Sequence, residues 1–412
     1  MRLMSTVPAV CTMLFPVAIY AQTAAEPAEL PPAAQASPET GPALPVPAPT
    51  PAAAATAAAP AASPAAPPPI AFAWEALVDA YYLYNFTGDP KTQGPLYRQF
   101  DTTADNFALN YAKLGVHADT DVVSFRLDFG YGHTAAIVNS SSTQFSSPGS
   151  AAAPSDTPAL YGSAFLVQQA FATVKPTSFL SIDAGKFVTS ASAEVIETNK
   201  NWLYSRSLLF FGVPLLHTGL RVNATVTPAL TLMAQICNGW NNDPGVSADK
   251  TFGGNVTLAP PNAGLTASVT GYVGKQGGPD GTDTRLLLDG VFLKDIGSLS
   301  VGANVDYFKL ASAYWAGVSG MGRFIINDMF NVAARAEYLY SKNGGYSGLL
   351  LAATDPTVSL YEVTGMAAWT MGKHYEARLE VRADMSNKDE FLKGSAPRKN
   401  QVTGLVGALA YF

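Results

Sequence analysis

The chain has 412 residues, a net charge of −6 and 14% charged residues, against about a quarter in ordinary soluble domains. The acidic balance argues against a nucleic-acid partner. Mean hydropathy is only +0.12, and apart from the amino-terminal leader no apolar run reaches the roughly 20 residues that a membrane helix needs.

Residues 1–21 read as a secretory signal peptide. Arg2 supplies the positive end, Val7 to Tyr20 the apolar stretch, and Ala21–Gln22 the cleavage point. Residues 22–70 are almost wholly Ala, Pro, Thr, Ser and Glu. Proline removes backbone donors, so this segment is expected to be a disordered, extended periplasmic tail with a reach of roughly 150 Å at about 3.1 Å per residue. It is read as an unconstrained linker or as a spacer touching the cell wall. Of the two cysteines, Cys11 lies in the leader, which leaves Cys237 alone and excludes an intramolecular disulfide in the mature chain.

From Phe72 onward the chain divides into short alternating strands. In 122–131, Val123, Phe125, Leu127 and Phe129 share one face while Ser124, Arg126 and Asp128 share the other. In 375–386, Ala377, Leu379, Val381 and Ala383 oppose Glu376, Arg378, Glu380, Arg382 and Asp384. The expected strands are 72–86, 105–118, 121–132, 163–175, 179–188, 215–226, 230–240, 251–259, 265–275, 283–293, 299–310, 314–326, 330–342, 357–371, 375–386 and 401–412. Tight turns such as Asp119–Thr120 and Gly372–Lys373–His374 alternate with longer connectors: Thr87–Ala104, His133–Gly162, Thr189–Pro214, Asn241–Lys250, Gln276–Thr282, Asn343–Pro356 and Asn387–Asn400. The fold class is therefore all-β: an antiparallel transmembrane barrel of about 16 strands over residues 71–412, with boundaries that admit 14 to 18. Short periplasmic turns, long outer loops and an even strand number put both termini in the periplasm of a Gram-negative bacterium.

The stretch 183–222, "DAGKFVTSASAEVIETNKNWLYSRSLLFFGVPLLHTGLRV", carries Ala-Gly-Lys-Phe, then Asn-Trp-x-Tyr-Ser-Arg-Ser, then Pro-x-x-His-Thr-Gly. With "QQAFATVKP" before it and the terminal Tyr-Phe, it resembles the OmpL-like β-barrel porins of bacterial outer membranes. The resemblance covers roughly 72–412. It implies an outer-membrane barrel and a pore, without a defined solute.

Turning the apolar parity to lipid leaves a polar lumen, because an Arg facing mid-membrane lipid costs about 2–4 kcal/mol. The expected pore-lining residues are Asp79, Arg126, Asp128, Asp183, Arg221, Arg285, Asp289, Asp306, Arg323, Arg335, Glu337, Glu362, Arg378, Glu380, Arg382 and Asp384, joined by Glu75, Asn223, Asn304 and Glu376. Carboxylates outnumber guanidiniums eleven to seven in that set, and carboxylate rings favour cations, so a weak cation preference is expected. The alternative is that these charges pair across strands and brace the lumen. The connector Thr189–Pro214 carries Glu194, Glu197 and Arg206 and is long enough to fold inward as a constriction or to pack on the rim as a lid. Tyr81, Tyr82, Tyr84, Trp240, Trp315, Tyr338, Tyr340, Trp369 and Tyr411 lie near strand ends, where aromatic girdles meet the membrane interfaces.

No cofactor or metal is expected, since none of His117, His133, His217 and His374 sits in a ligand motif. His217 near Ser205 and Ser207 has no accompanying oxyanion motif, so a hydrolase is the weakest reading. The expected function is passive diffusion of small hydrophilic solutes or ions. The alternative is a plugged structural or adhesive barrel. Outer-membrane lipid is the expected surrounding, and a homotrimer is expected only by analogy with barrels of this size.

Overall fold

Alternation at period two makes each strand amphipathic, and a sheet with one oily and one polar face survives in lipid only by closing on itself. The computed structural model describes residues 70–88, 94–143, 164–241, 249–275, 283–346, 357–394 and 396–412. The expected leader (1–21) and all but the last residue of the expected tail (22–70) lie outside the described residues.

Sixteen antiparallel strands close the barrel. They are β1 (Ala71–Asn85), β2 (Phe107–Asp119), β3 (Val123–Tyr131), β4 (Phe165–Thr177), β5 (Leu180–Val188), β6 (Leu216–Thr227), β7 (Leu230–Cys237), β8 (Thr251–Leu258), β9 (Leu265–Lys275), β10 (Thr284–Ile296), β11 (Leu299–Leu310), β12 (Ala313–Ile325), β13 (Phe330–Lys342), β14 (Thr357–Met371), β15 (Tyr375–Ser386) and β18 (Asn400–Tyr411). Each strand pairs with its neighbours in sequence, and β1 closes on β18 from Leu77↔Tyr411 to Asn85↔Thr403. Every expected strand is present, with ends displaced by up to about three residues. Gly297 and Gly372, at φ +61° and +66°, make two of the tight turns at the end where β1 begins and β18 ends.

The outer face is apolar: Val269, Leu379, Val406 and Val363 are each more than half exposed on the outward parity. The inner face holds the core. One buried apolar cluster includes Leu77, Tyr81, Phe100, Tyr111, Phe210 and Leu405. A second includes Leu208, Leu209, Trp240, Tyr272, Phe308 and Trp315. Tyr81, Trp240 and Trp315 therefore turn inward instead of joining an interfacial girdle, whereas Tyr84 and Trp369 are outward and exposed. Packing against inward-folded connectors decides this, and strand alternation alone does not carry that information.

Three connectors hold structure that alternation does not foresee. Residues 133–143 form the helix α1 (His133–Thr143), which packs on β2, β3 and β4. Residues 94–104 fold into the bore, with Tyr97, Arg98 and Phe100 buried. The connector before β18 carries the small hairpin β16 (Phe391–Lys393) and β17 (Ala396–Arg398).

Candidate functional site: a loop folded across the bore

The connector between β5 and β6 enters the barrel. It contains a 3₁₀ turn at Thr198–Lys200 and a short helix α2 (Leu208–Phe211), whose first turn is capped by the Ser207 hydroxyl accepting from the Phe210 amide at 2.8 Å. Buried backbone amides and carbonyls need partners, and the barrel wall supplies them. The Ser192 amide donates to Asp289 at 3.0 Å and the Ala193 amide to Asn304 at 3.0 Å. The Tyr204 and Ser205 amides donate to Glu380 at 2.7 and 3.1 Å. The Leu208 amide donates to Glu337 at 2.7 Å. In the opposite sense, Arg378, Arg335 and Arg382 donate to the carbonyls of Leu203 (3.0 Å), Ser205 (2.9 Å) and Arg206 (2.5 Å).

The far wall is gripped as well. Asp79 on β1 accepts from Thr198 and from the Tyr204 hydroxyl, both at 2.6 Å, and from Asn110 at 2.8 Å. Lys113 on β2 meets Glu197, Glu75 (2.8 Å) and Asp128 (3.1 Å). Those three carboxylates stand close enough together to hold a metal ion, and the Lys113 ammonium occupies that role. Burial alone would raise the Glu197 carboxyl, but the Lys113 charge and a hydrogen bond from Gln168 outweigh it and hold Glu197 below the usual carboxylate range. Lys200 pairs with Glu75 at 2.9 Å, and burial brings its ammonium down to about 8.

The three loop residues singled out from sequence are all buried. Glu194 accepts from Arg335 at 2.8 Å and from the Ser207 amide at 2.8 Å. Glu197 is the Lys113 partner. Arg206 holds the loop's own carbonyls at Val195 (2.7 Å), Ile196 (2.5 Å) and Tyr204 (2.5 Å). These buried groups meet inward-facing side chains on opposite sides of the barrel.

The sixteen wall residues singled out lie on the inward parity of their strands. Asp79, Asp128, Asp183, Arg285, Asp289, Asp306, Arg335, Glu337, Glu362, Arg378, Glu380, Arg382 and Asp384 are buried. Many of these contact one another: Arg335 with Glu362 at 3.0 Å, Arg382 with Asp384 at 2.6 Å, Arg378 with Glu376, and Asn304 with both Asp289 (2.8 Å) and Asp306 (3.0 Å). Arg285 lies over the Trp240 ring at 4.8 Å. Arg126, Arg221 and Arg323 keep partial exposure. Arg126 pairs with Asp128 at 3.0 Å and with Glu75 at 2.5 Å, and Arg221 with Asp183 at 2.8 Å.

Sequence reasoning missed Lys113, Asn110 and Arg98. A bulge opposite Asp79 and Ala80 turns both Asn110 and Tyr111 inward and breaks the alternation of β2. Lys113 carried a readable signal, since a mid-strand ammonium cannot face lipid. Arg98, bonded to Thr403 and paired with Asp101 at 3.2 Å, sits in a connector with no periodicity to read. His217 is not brought to Ser205 or Ser207. Its ring nitrogens meet Thr189 at 2.6 Å and the Gly239 carbonyl at 3.1 Å.

The sequence model of one protein family, Putative beta-barrel porin-2, OmpL-like, matches residues 71–412. The chain belongs to this family. It is an outer-membrane porin-like barrel. Solved structures agree on the fold. The DcaP channel of Acinetobacter baumannii superposes with a TM-score of 0.55 at 14% identity, covering 83% of this chain and 97% of that one. OmpT of Vibrio cholerae, in its trimer form, gives 0.54 at 12%, covering 83% and 99%. An anion-selective porin from Comamonas acidovorans gives 0.54 at 11%, covering 84% and 100%. No curated protein sequence matches the chain significantly.

Proposed function

We propose that this OmpL-like barrel is a porin for passive diffusion of small hydrophilic solutes and ions, narrowed by the loop 189–215. The observation that carries this reading is a polar inner wall that stays partly exposed beside the loop: Glu75, Arg126 and Arg221 keep side-chain exposures of 32%, 24% and 16%. Most inner charges are paired, so the field along the bore is nearly balanced. The majority of carboxylates supports only a weak preference for cations. The start of β1 and the end of β18 lie at the tight-turn end, which supports a periplasmic position for them and for the tail that precedes β1, where the tail would meet the cell wall. Barrels of this fold include a trimer in OmpT of Vibrio cholerae, and a homotrimer in outer-membrane lipid is proposed here on that analogy alone.

A second reading has its own observation. The loop bonds to β1, β2 and β4 on one side and to β10, β13 and β15 on the other, so it crosses the bore as a plug would. Planar-bilayer recording separates the two. Discrete open-channel currents from the full chain, with swelling of liposomes in small sugars, support diffusion. Silence from the full chain, with currents appearing once the loop is shortened, supports a plugged barrel.

A further inference from the structure

Most guanidiniums of the inner wall are engaged by oxygen partners. Arg126, Arg221, Arg335, Arg378 and Arg382 each meet a carboxylate. Arg206 is saturated by carbonyls. Arg323, on the inward parity of β12, has no hydrogen bond and no carboxylate within ion-pair distance among the described residues. Its Nε is buried with no hydrogen-bond partner. What it has is Trp202 of the inward loop, whose ring centroid lies 5.5 Å from the guanidinium carbon. A cation–π contact leaves the donor fork unused.

The seat under Trp202 is made by a glycine. A Cβ on Gly302 would stand 3.3 Å from the indole and 2.8 Å from Leu293. The indole also packs against the buried cluster of Leu203, Ala333, Met366 and Ala368. Both Arg323 and Trp202 remain partly exposed. Nearby, Ser300 donates to Asp295 at 2.5 Å. The result is a partly exposed guanidinium lying over an aromatic ring on the inward side of the wall.

We infer that Arg323 and Trp202 form a subsite for a small organic monocarboxylate passing through the barrel. A planar carboxylate matches the planar fork of an arginine and can take two parallel hydrogen bonds. The exposed part of the indole gives the solute's apolar portion a surface. Asp295, a carboxylate on the inward parity of β10 and in register with Arg323 across Ser300 of β11, disfavours a dianion such as inorganic phosphate more than a monoanion. This inference rests on the porin reading and names a solute class for it.

Binding and conduction are measured on the same full-chain preparation, reconstituted in vesicles. Titration calorimetry with butyrate is expected to give saturable binding. The variant Arg323→Gln is expected to weaken it at least tenfold, Arg323→Lys less, and Trp202→Leu several-fold, with inorganic phosphate binding more weakly than butyrate to the wild type. Because the barrel is held by strand-to-strand hydrogen bonds and Arg323 makes no side-chain hydrogen bond or ion pair among the described residues, Arg323→Gln is expected to keep its strand content by circular dichroism. Butyrate binding that is absent or not saturable, or that is unchanged in Arg323→Gln, overturns the subsite. Phosphate binding as tightly as butyrate overturns the carboxylate assignment. Intact butyrate binding in a chain that conducts nothing in planar bilayers leaves the subsite standing and fails the diffusion reading.

Discussion

The two halves of the inward loop are held by opposite chemistry. From Ser192 to Arg206, backbone amides and carbonyls meet acidic and basic wall side chains: Asp289, Glu380, Arg335, Arg378 and Arg382. From Leu208 to Leu215, buried leucines, Phe210 and Val213 pack into apolar clusters with Trp240, Tyr272, Leu287, Phe308 and Trp315. Each buried apolar side chain contributes about 1.5–3 kcal/mol. A buried ion pair returns little net energy once both charges are desolvated, yet breaking it is costly. The apolar half therefore supplies the holding energy, and the charged half determines where the crossing segment lies.

Removing both halves gives the largest effect. Replacing residues 191–213 by a short Gly-Ser turn is expected to leave the sixteen-strand barrel intact, because its hydrogen bonds run from strand to strand. Single-channel conductance is then expected to rise several-fold. Conductance equal to that of the full chain would remove the loop from the permeation path under either functional reading. Within the charged half, Arg335→Ala strands Glu194, Glu337 and Glu362, which lie 2.8, 3.4 and 3.0 Å from its guanidinium. The expected loss is about 3–5 kcal/mol in urea unfolding of the reconstituted barrel. Arg335→Met combined with Glu194→Gln and Glu362→Gln is expected to recover part of it. A loss below 1 kcal/mol for the single variant would make the network ornamental.

Within the apolar half, Gly317 on β12 is the sensitive point. An added Cβ would stand 2.8 Å from Leu209 Cδ1 and 3.1 Å from the Tyr338 carbonyl oxygen. Gly317→Ala is expected to cost about 1–3 kcal/mol by overpacking. In a double-mutant cycle with Leu209→Ala, the two losses are expected to be less than additive. Full additivity in that cycle would show that helix α2 does not press on this wall.

These contrasts also explain what could be read from the residues alone. The barrel was legible because strand alternation is a local property, written in segments such as Val122–Tyr131 and Tyr375–Ser386. The inner parity was legible for the same reason. The partner of each inner charge was not. Glu380 meets the amides of Tyr204 and Ser205, about 175 positions away in sequence, and no local pattern records that pairing. Trp240 and Trp315 read as interfacial aromatics because their strand-end positions suit a girdle. Only the arrival of Leu208, Leu209 and Val213 from another connector makes them core. Asn110 was obscured by the bulge opposite Asp79 and Ala80, which shifts parity within a single strand.

The smallest expected effect concerns the loop's exposed edge, where the ionic half meets water. Burial lowers the Lys200 ammonium from its usual value to about 8. Its positive charge therefore fades as pH rises through 8, while the unfolded chain keeps its proton up to about 10.4. The unfolded state binds more protons in that window, so this residue's contribution to stability increases with pH between about 8 and 10. Loss of the charge also leaves the tight-turn half of the bore less positive. Reversal potentials in a KCl gradient are expected to move towards cations between pH 7 and 9, and Lys200→Gln is expected to sit at the high-pH value throughout. The shift is small because Glu75, Lys200's partner, also pairs with Lys113 and Arg126 at 2.8 and 2.5 Å, so one departing ammonium leaves that carboxylate still neutralised. A pH dependence that survives unchanged in Lys200→Gln would assign it to another group and detach the loop's edge from selectivity.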